Sequence, residues 1–258
     1  MLMDASDVLY RTKISIAGAL TSPAVGTVIA AATRNRVPNH GLRFDVADRD
    51  FTPQARAALF WRLYEGAEIR MIRRHLTTSG TVVELGASLG ITSAHIASRL
   101  APGSRLVCVE ANPHLIEGLT RRLAAYAGHI TLDVENRAIT QAVGPVAFAL
   151  VGNNLGSRLW DDASRRTVTI PAATLRDLLV RKRIAEFDLV SDIEGAEASF
   201  LLGDPGALDR CRRAVFEMHD TTFEGRPVTA ADLLDAARGL GFQVVDRHGV
   251  VVTLSRDG

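Results

Sequence analysis

Past Gly80 the sequence alternates short apolar runs with longer amphipathic stretches, and this alternation constrains the fold more than any other feature. It predicts strand Thr81 to Leu85, helix Ile91 to Leu100, strand Arg105 to Glu110, helix His114 to Tyr126 and strand Ile130 to Val134. Two further strands, "GPVAFALVG" and "RRTVTIPA", flank the loop "GNNLGSRLWDDAS" and lead to helix Thr174 to Lys182. The strand "FDLVSDI", a helix near Ala198, the strand "RAVFEMH" and helix Thr229 to Leu240 complete the alternation. Such a pattern implies an α/β fold: an open, mostly parallel sheet with helices on both faces. The closing stretch "FQVVDRHGVVVTLS" has too short a connection for a crossover, so it predicts an antiparallel hairpin at one edge.

Residues before Gly80 read as helical and irregular, which divides the chain into an N-terminal helical extension or substrate cap, residues 1–79, and a domain at 80–258. Asn39 to Arg49 reads as a loop with a short strand. Thr52 followed by Pro53 is a helix start, and one helix is predicted to run from Pro53 to about Leu76. The uncharged stretch "ISIAGALTSPAVGTVIAAAT" is interrupted by Gly18, Pro23 and Gly26, so a packed pair of small-residue helices is expected, without stable membrane insertion. Two cysteines in apolar surroundings, Cys108 and Cys211, suit buried thiols in a cytoplasmic protein. Thirty basic and 29 acidic residues give a net charge of +1, and with 5% aromatic content nothing points to nucleic acid as a partner.

In an open parallel sheet a ligand lies over the carboxyl ends of the central strands. Glu84, Gly86, Ala87, Ser88, Gly90 and Thr92 occupy that place after the first strand, as a G-x-x-x-G loop. Neither the dinucleotide pattern G-x-G-x-x-G nor a P-loop is present. Glu110, followed by Asn112, ends the next strand, where a carboxylate can accept hydrogen bonds from vicinal ribose hydroxyls. An acidic site without a phosphate cradle fits a cationic nucleoside, S-adenosylmethionine.

The segments "VVELGASLGITS", "VCVEANPHL", "DLVSDIEGAEASFLLGD" and "RAVFEMH" resemble the FkbM family of class I S-adenosylmethionine-dependent methyltransferases, over roughly Phe60 to His219. The resemblance implies a Rossmann-like class I methyltransferase sheet of seven strands with the last antiparallel. It implies that Glu84, Gly86 and Gly90 form the cofactor loop, that Glu110 binds ribose, and that Asn136, Arg137 and Ala138 lie along adenine. It also implies acceptor hydroxyls on sugars, polysaccharides, glycolipids or secondary metabolites. Tyr64, Glu65 and Glu68 match a helix that precedes the cofactor loop in the family.

Asp192, Glu194 and His219 are the candidate catalytic residues, because all stand with Glu217 at strand ends on the cofactor side of the sheet. A neutral His219 oriented by a carboxylate, or Asp192 itself, would act as general base. Magnesium held by clustered carboxylates is the other route to an activated hydroxyl, although no diagnostic metal spacing is present and no metal ligands are assigned. The loop residues Asn153, Asn154, Ser157, Arg158 and Trp160 suit a small-molecule or carbohydrate acceptor. Alternatives are a binding module without turnover, or a nicotinamide-dependent oxidoreductase. A homodimer is compatible with the sequence.

Overall fold

The computed structural model describes residues 17–150 and 167–256, so the acceptor-loop residues Asn153, Asn154, Ser157, Arg158 and Trp160 lie outside the described residues. The chain divides into two compact units, residues 1–66 and 67–258.

In the first unit, helix α1 (Pro23–Ala32) packs on helix α2 (Pro53–Phe60), and a hairpin of β1 (Arg36–Asn39) and β2 (Leu42–Asp45) joins them. Small residues allow the close crossing: a Cβ on Gly26 would lie 1.7 Å from the Pro53 carbonyl oxygen. Buried Asn39 closes the unit by donating from Nδ2 to the Leu59 carbonyl at 2.7 Å. Thr52 caps α2 by accepting from Ala55 N, as its Thr-Pro start predicts. Among the described residues, no helix is long and apolar enough to cross a membrane.

The single helix expected over Pro53 to Leu76 is broken. Helix α2 ends at Phe60, Arg62 and Glu65 adopt positive φ, and α3 (Gly66–His75) starts afresh. The break places Tyr64 in a buried position while Trp61 and Leu63 stay exposed. No proline marks it, and Gly66 is the only weak helix former at the junction.

The second unit is built on a seven-stranded sheet. Strands β3 (Thr81–Leu85), β4 (Arg105–Glu110) and β5 (Thr131–Asn136) run outward to one edge. A side sheet interrupts the series: β6 (Ala138–Ile139) pairs parallel with β8 (Thr167–Ala173), which pairs antiparallel with β7 (Gly144–Ala149). The chain then returns through β9 (Phe187–Ser191), β10 (Cys211–Glu217), β13 (Gln243–His248) and β14 (Val251–Ser255), with the small hairpin β11 (Thr221–Phe223) and β12 (Arg226–Val228) after β10. The sheet order is β13-β14-β10-β9-β3-β4-β5, with β14 antiparallel to both neighbours and the other pairings parallel.

Strand order reverses between β9 and β3, and that switch point defines the crevice at their carboxyl ends. Helices α4 (Ile91–Ala97) and α5 (Ile116–Ala124) pack beside β4 and β5. Helices α6 (Leu175–Lys182), α7 (Ala198–Leu201) and α8 (Ala230–Gly239) contribute Leu178, Phe200 and Leu233 to a core with Val83, Val107, Leu189, Phe216 and Leu254. Each such buried side chain stabilises by about 1.5–3 kcal/mol, which fixes the strand ends that carry the polar groups. Both α6 and α8 start with a Thr-x-x-Asp capping box, Thr174 with Asp177 and Thr229 with Asp232.

Candidate functional site

The loop after β3 is fastened to its neighbours on both sides. Gly86 N and Ala87 N both donate to the Val109 carbonyl on β4, at 2.9 and 3.1 Å. On the other side, Asp192 N donates to the Leu85 carbonyl at 3.0 Å, and a Cβ on Gly86, whose φ is +85°, would lie 1.9 Å from the Asp192 carbonyl oxygen. Gly86 therefore serves two ends: it permits the turn and lets the β9 turn close against it. Arg122 of α5 holds the far end of the loop by donating from Nε to the Leu89 carbonyl at 2.8 Å. Buried Thr92 follows Gly90 in the first turn of α4.

Glu110 organises the loop through its side chain. Oε2 accepts from Ser88 N and Oε1 from Asn112 N, each at 2.7 Å. Burial raises its pKa, and these backbone bonds oppose the rise. A carboxylate has about four lone-pair sites, so two remain for other donors such as a vicinal diol. Asn136 Nδ2 pins the same strand end by donating to the Glu110 and Ala111 carbonyls, at 2.9 and 3.0 Å. Asn112 in turn accepts from His114 N at 3.0 Å.

Three expected cofactor residues are placed less openly. Glu84 is only 2% exposed and accepts the Cys108 thiol hydrogen at 3.2 Å, so it braces the inside of the sheet at the base of the loop. Burial first, and then the charge of Glu84, push the Cys108 thiol well up. Arg137, just past the end of β5, engages Glu135 of that strand, and its backbone N–H donates to the Glu110 carbonyl at 3.0 Å. Ala138 lies in the core of the side sheet with Phe148, Ile170 and Ala172, which leaves little of it for an adenine edge.

On the β9 side, the structure brings Asp192, Glu194, Glu217 and His219 together. His219 Nε2 lies 3.5 Å from Glu217 Oε1 and 3.6 Å from Glu194 Oε2, while Nδ1 lies 4.0 Å from Asp192 Oδ1. These side chains are between 21% and 29% exposed, so they line an accessible recess rather than a sealed core. Contact with Glu217 first, against the opposing effect of burial, and the charges of Asp192, Glu194 and Glu197 push the His219 pKa up to about 9. The shift bears on the expected role of a neutral base, because an imidazole among these carboxylates holds its proton more tightly than a free one.

Sequence reasoning gave no role to Glu197 and left that of Glu68 undecided. Glu197 is fully buried and accepts from Ser191 Oγ at 3.0 Å, Ile193 N at 2.8 Å and Gly195 N at 2.9 Å, which pins the turn carrying Asp192 and Glu194. Burial raises its pKa, and hydrogen bonds from Ile193 N, its own backbone N–H and Ser191 Oγ, with the nearby His219, oppose the rise. Buried Glu68 on α3 converges with Asp192 and Glu217, their oxygens lying within 4.8 Å of one another. The E-G-x-E spacing of Glu194 to Glu197 signalled the first of these, since only a turn brings the second acid back under the backbone of the first.

Residues 84–244 match the family described as "Methyltransferase FkbM domain", well over half of the chain. No curated protein matches the sequence. Similar solved structures include fibrillarin from Aeropyrum pernix with bound S-adenosyl-L-methionine, at 13% identity and a TM-score of 0.43, covering 75% of this chain and 74% of that one. Magnesium protoporphyrin IX methyltransferase from Synechocystis PCC 6803 with bound SAH is 11% identical, with a TM-score of 0.41, covering 76% and 84%. A ribosomal protein L11 methylase from Lactobacillus delbrueckii subsp. bulgaricus is 13% identical, with a TM-score of 0.39, covering 73% and 76%.

Proposed function

The chain belongs to the family of FkbM-domain methyltransferases, and from that premise we propose that it methylates a hydroxyl oxygen of a sugar, polysaccharide, glycolipid or secondary metabolite. The methyl donor is S-adenosylmethionine, the cofactor of the family. The observation that carries the O-methylation reading is the recess of Asp192, Glu194, Glu217 and His219 against the loop at Gly86. Carboxylates at strand ends accept hydrogen bonds from a polyol and can take the proton that an alcohol must lose.

In this reading Glu110 accepts from the ribose hydroxyls, and the backbone of residues 86–90 borders the cofactor at the switch point of the sheet. Bound there, the cofactor supplies a methyl group on a cationic sulfur. Residues 86–90 and Glu110 would hold it so that an acceptor oxygen beside Asp192 could face its methyl group. The hydroxyl proton passes to Asp192. Imidazolium His219, flanked by Glu194 and Glu217, donates to a neighbouring acceptor oxygen and so orients the sugar. Alignment of the reacting groups supplies much of the rate, because displacement is sensitive to small misplacements.

The test is transfer of labelled methyl from S-adenosylmethionine across a panel of polyols and glycosides, with wild-type protein and Asp192→Asn. Product in the wild type, with turnover reduced at least about a hundredfold in the variant and S-adenosylhomocysteine affinity retained, supports the assignment. Transfer to nitrogen or carbon acceptors only would refute the hydroxyl reading. Cofactor binding without transfer to any acceptor would favour a binding module.

A further inference from the structure

We propose that Asp192, Glu194 and His219 form a binding site for one divalent cation of the manganese type, with Glu68 and Glu217 as flanking carboxylates. The proposal deepens the methyl-transfer reading in its functional role, but the site itself stands on geometry alone.

Two sets of ligand atoms overlap at Asp192: Asp192, Glu194 and His219 in one, and Glu68, Asp192 and Glu217 in the other, each with its atoms within 4.8 Å of one another. The five side chains come from α3, from the turn after β9 and from the end of β10, so they converge from separate parts of the unit. This is a mixed nitrogen and oxygen set rather than a run of surface acids.

The spacing between its members favours an ion over direct pairing. The imidazole nitrogens stand 3.5, 3.6 and 4.0 Å from carboxylate oxygens, longer than the roughly 2.7–3.2 Å of a hydrogen bond. Ligand atoms about 2.1 Å from a common ion lie roughly 3.0 Å apart when adjacent in an octahedron, and about 4.2 Å apart when opposite. An ion takes only one of the two ring nitrogens; with Nδ1 as the ligand, its 4.0 Å separation from Asp192 Oδ1 falls between those limits. His219 Nδ1 is screened from solvent and has no hydrogen-bond partner among the described residues, although it faces Asp192 Oδ1. A ring nitrogen so placed is explained by a ligand that the protein itself does not supply.

The frame is rigid where a metal site needs rigidity. Glu197 locks the 192–195 turn through Ser191 Oγ, Ile193 N and Gly195 N, so Asp192 and Glu194 are held in place by buried bonds. One imidazole with several carboxylates suits manganese better than magnesium, which prefers an all-oxygen shell and retains its waters. In the reaction, the ion would take the acceptor hydroxyl in place of a water and lower its pKa. With the ion in place Asp192 is a ligand, His219 binds as the neutral imidazole with its extra proton released to solvent, and the hydroxyl proton passes to Glu217, outside the three-ligand set.

The experiment is a calorimetric titration of the full chain with Mn²⁺ after chelator treatment and desalting, with no cofactor or acceptor present. Wild type, Asp192→Asn and His219→Gln are compared, and S-adenosylhomocysteine binding reports that each variant is folded. The expected result is about one saturable equivalent in the wild type, with affinity at least about tenfold weaker in both variants, as loss of one ligand from a small set implies. Absence of saturable Mn²⁺ binding to wild type, or binding unchanged in both variants, would overturn the proposal. Because the readout is metal binding alone, its failure is distinct from failure of methyl transfer or of cofactor binding.

Discussion

Replacing Glu197 by glutamine tests whether an ionised, buried carboxylate holds the turn behind Asp192 and Glu194. Three donors converge on it: Ser191 Oγ and Ile193 N on Oε1, and Gly195 N on Oε2. A glutamine can present one oxygen at the doubly bonded position, but its amide nitrogen then meets the Gly195 N–H donor to donor. One charge-assisted bond, worth roughly 1.5–3 kcal/mol, is lost, and the remaining two weaken to neutral bonds. Burying a neutral amide instead of a charge recovers part of that loss. The net cost should be about 2–3 kcal/mol, or roughly 5–10 °C in melting temperature for a chain of this size. Urea and thermal unfolding at pH 7 measure the cost, and the kcat for methyl transfer should fall more than S-adenosylhomocysteine affinity does. A Glu197→Gln variant within about 0.5 kcal/mol of wild type would refute the reasoning, because it would mean that the carboxyl is protonated and a neutral isostere serves equally.

Gly86→Ala should be destabilised by about 2–5 kcal/mol, from the positive φ and from the clash with the Asp192 carbonyl, and should bind S-adenosylhomocysteine at least about tenfold more weakly; urea titration and calorimetry check both effects. Glu135 gives a pH prediction: burial pushes its carboxyl up, but bonds and charges from Lys182 and Arg181 outweigh this and hold it at about 2. A depressed carboxyl stabilises the fold above its unfolded value near 4.5 and loses that contribution as pH falls toward 2. The melting-temperature gap between wild type and Glu135→Gln should therefore be open at pH 6 and narrow steadily from about pH 4.5 to 2.5; a gap constant over that window would contradict the assignment.

The sheet was legible because apolar runs and amphipathic stretches alternate from Thr81 to Asn136 and again from Thr174 to Ser255, and each run is short enough for a single strand. Position along that alternation also placed Glu110 beside the Gly86 loop, since consecutive parallel strands end at one edge. Features that depend on what a segment meets in three dimensions were not legible. The break at residues 61–65 has no proline, and the β1–β2 hairpin is set by pairing that spacing does not encode. The "GPVAFALVG" and "RRTVTIPA" strands were foreseen, but nothing in their pattern says that they leave the main sheet to form a separate one with Ala138 in its core. Acidic residues were found by position, whereas their states follow from neighbours: backbone donors under Glu197, the thiol beside Glu84 and the carboxylates around His219.

The most direct test of the central claim is calorimetric titration with S-adenosylhomocysteine of wild type and of Glu110→Ala. The account predicts saturable binding at one site per chain, weakened at least about a hundredfold in the variant, because both the diol acceptor and the anchor for Ser88 N and Asn112 N are removed. Wild-type affinity in the variant, or no binding to the wild type while NAD binds, would contradict a cofactor site at the carboxyl ends of β3 and β4.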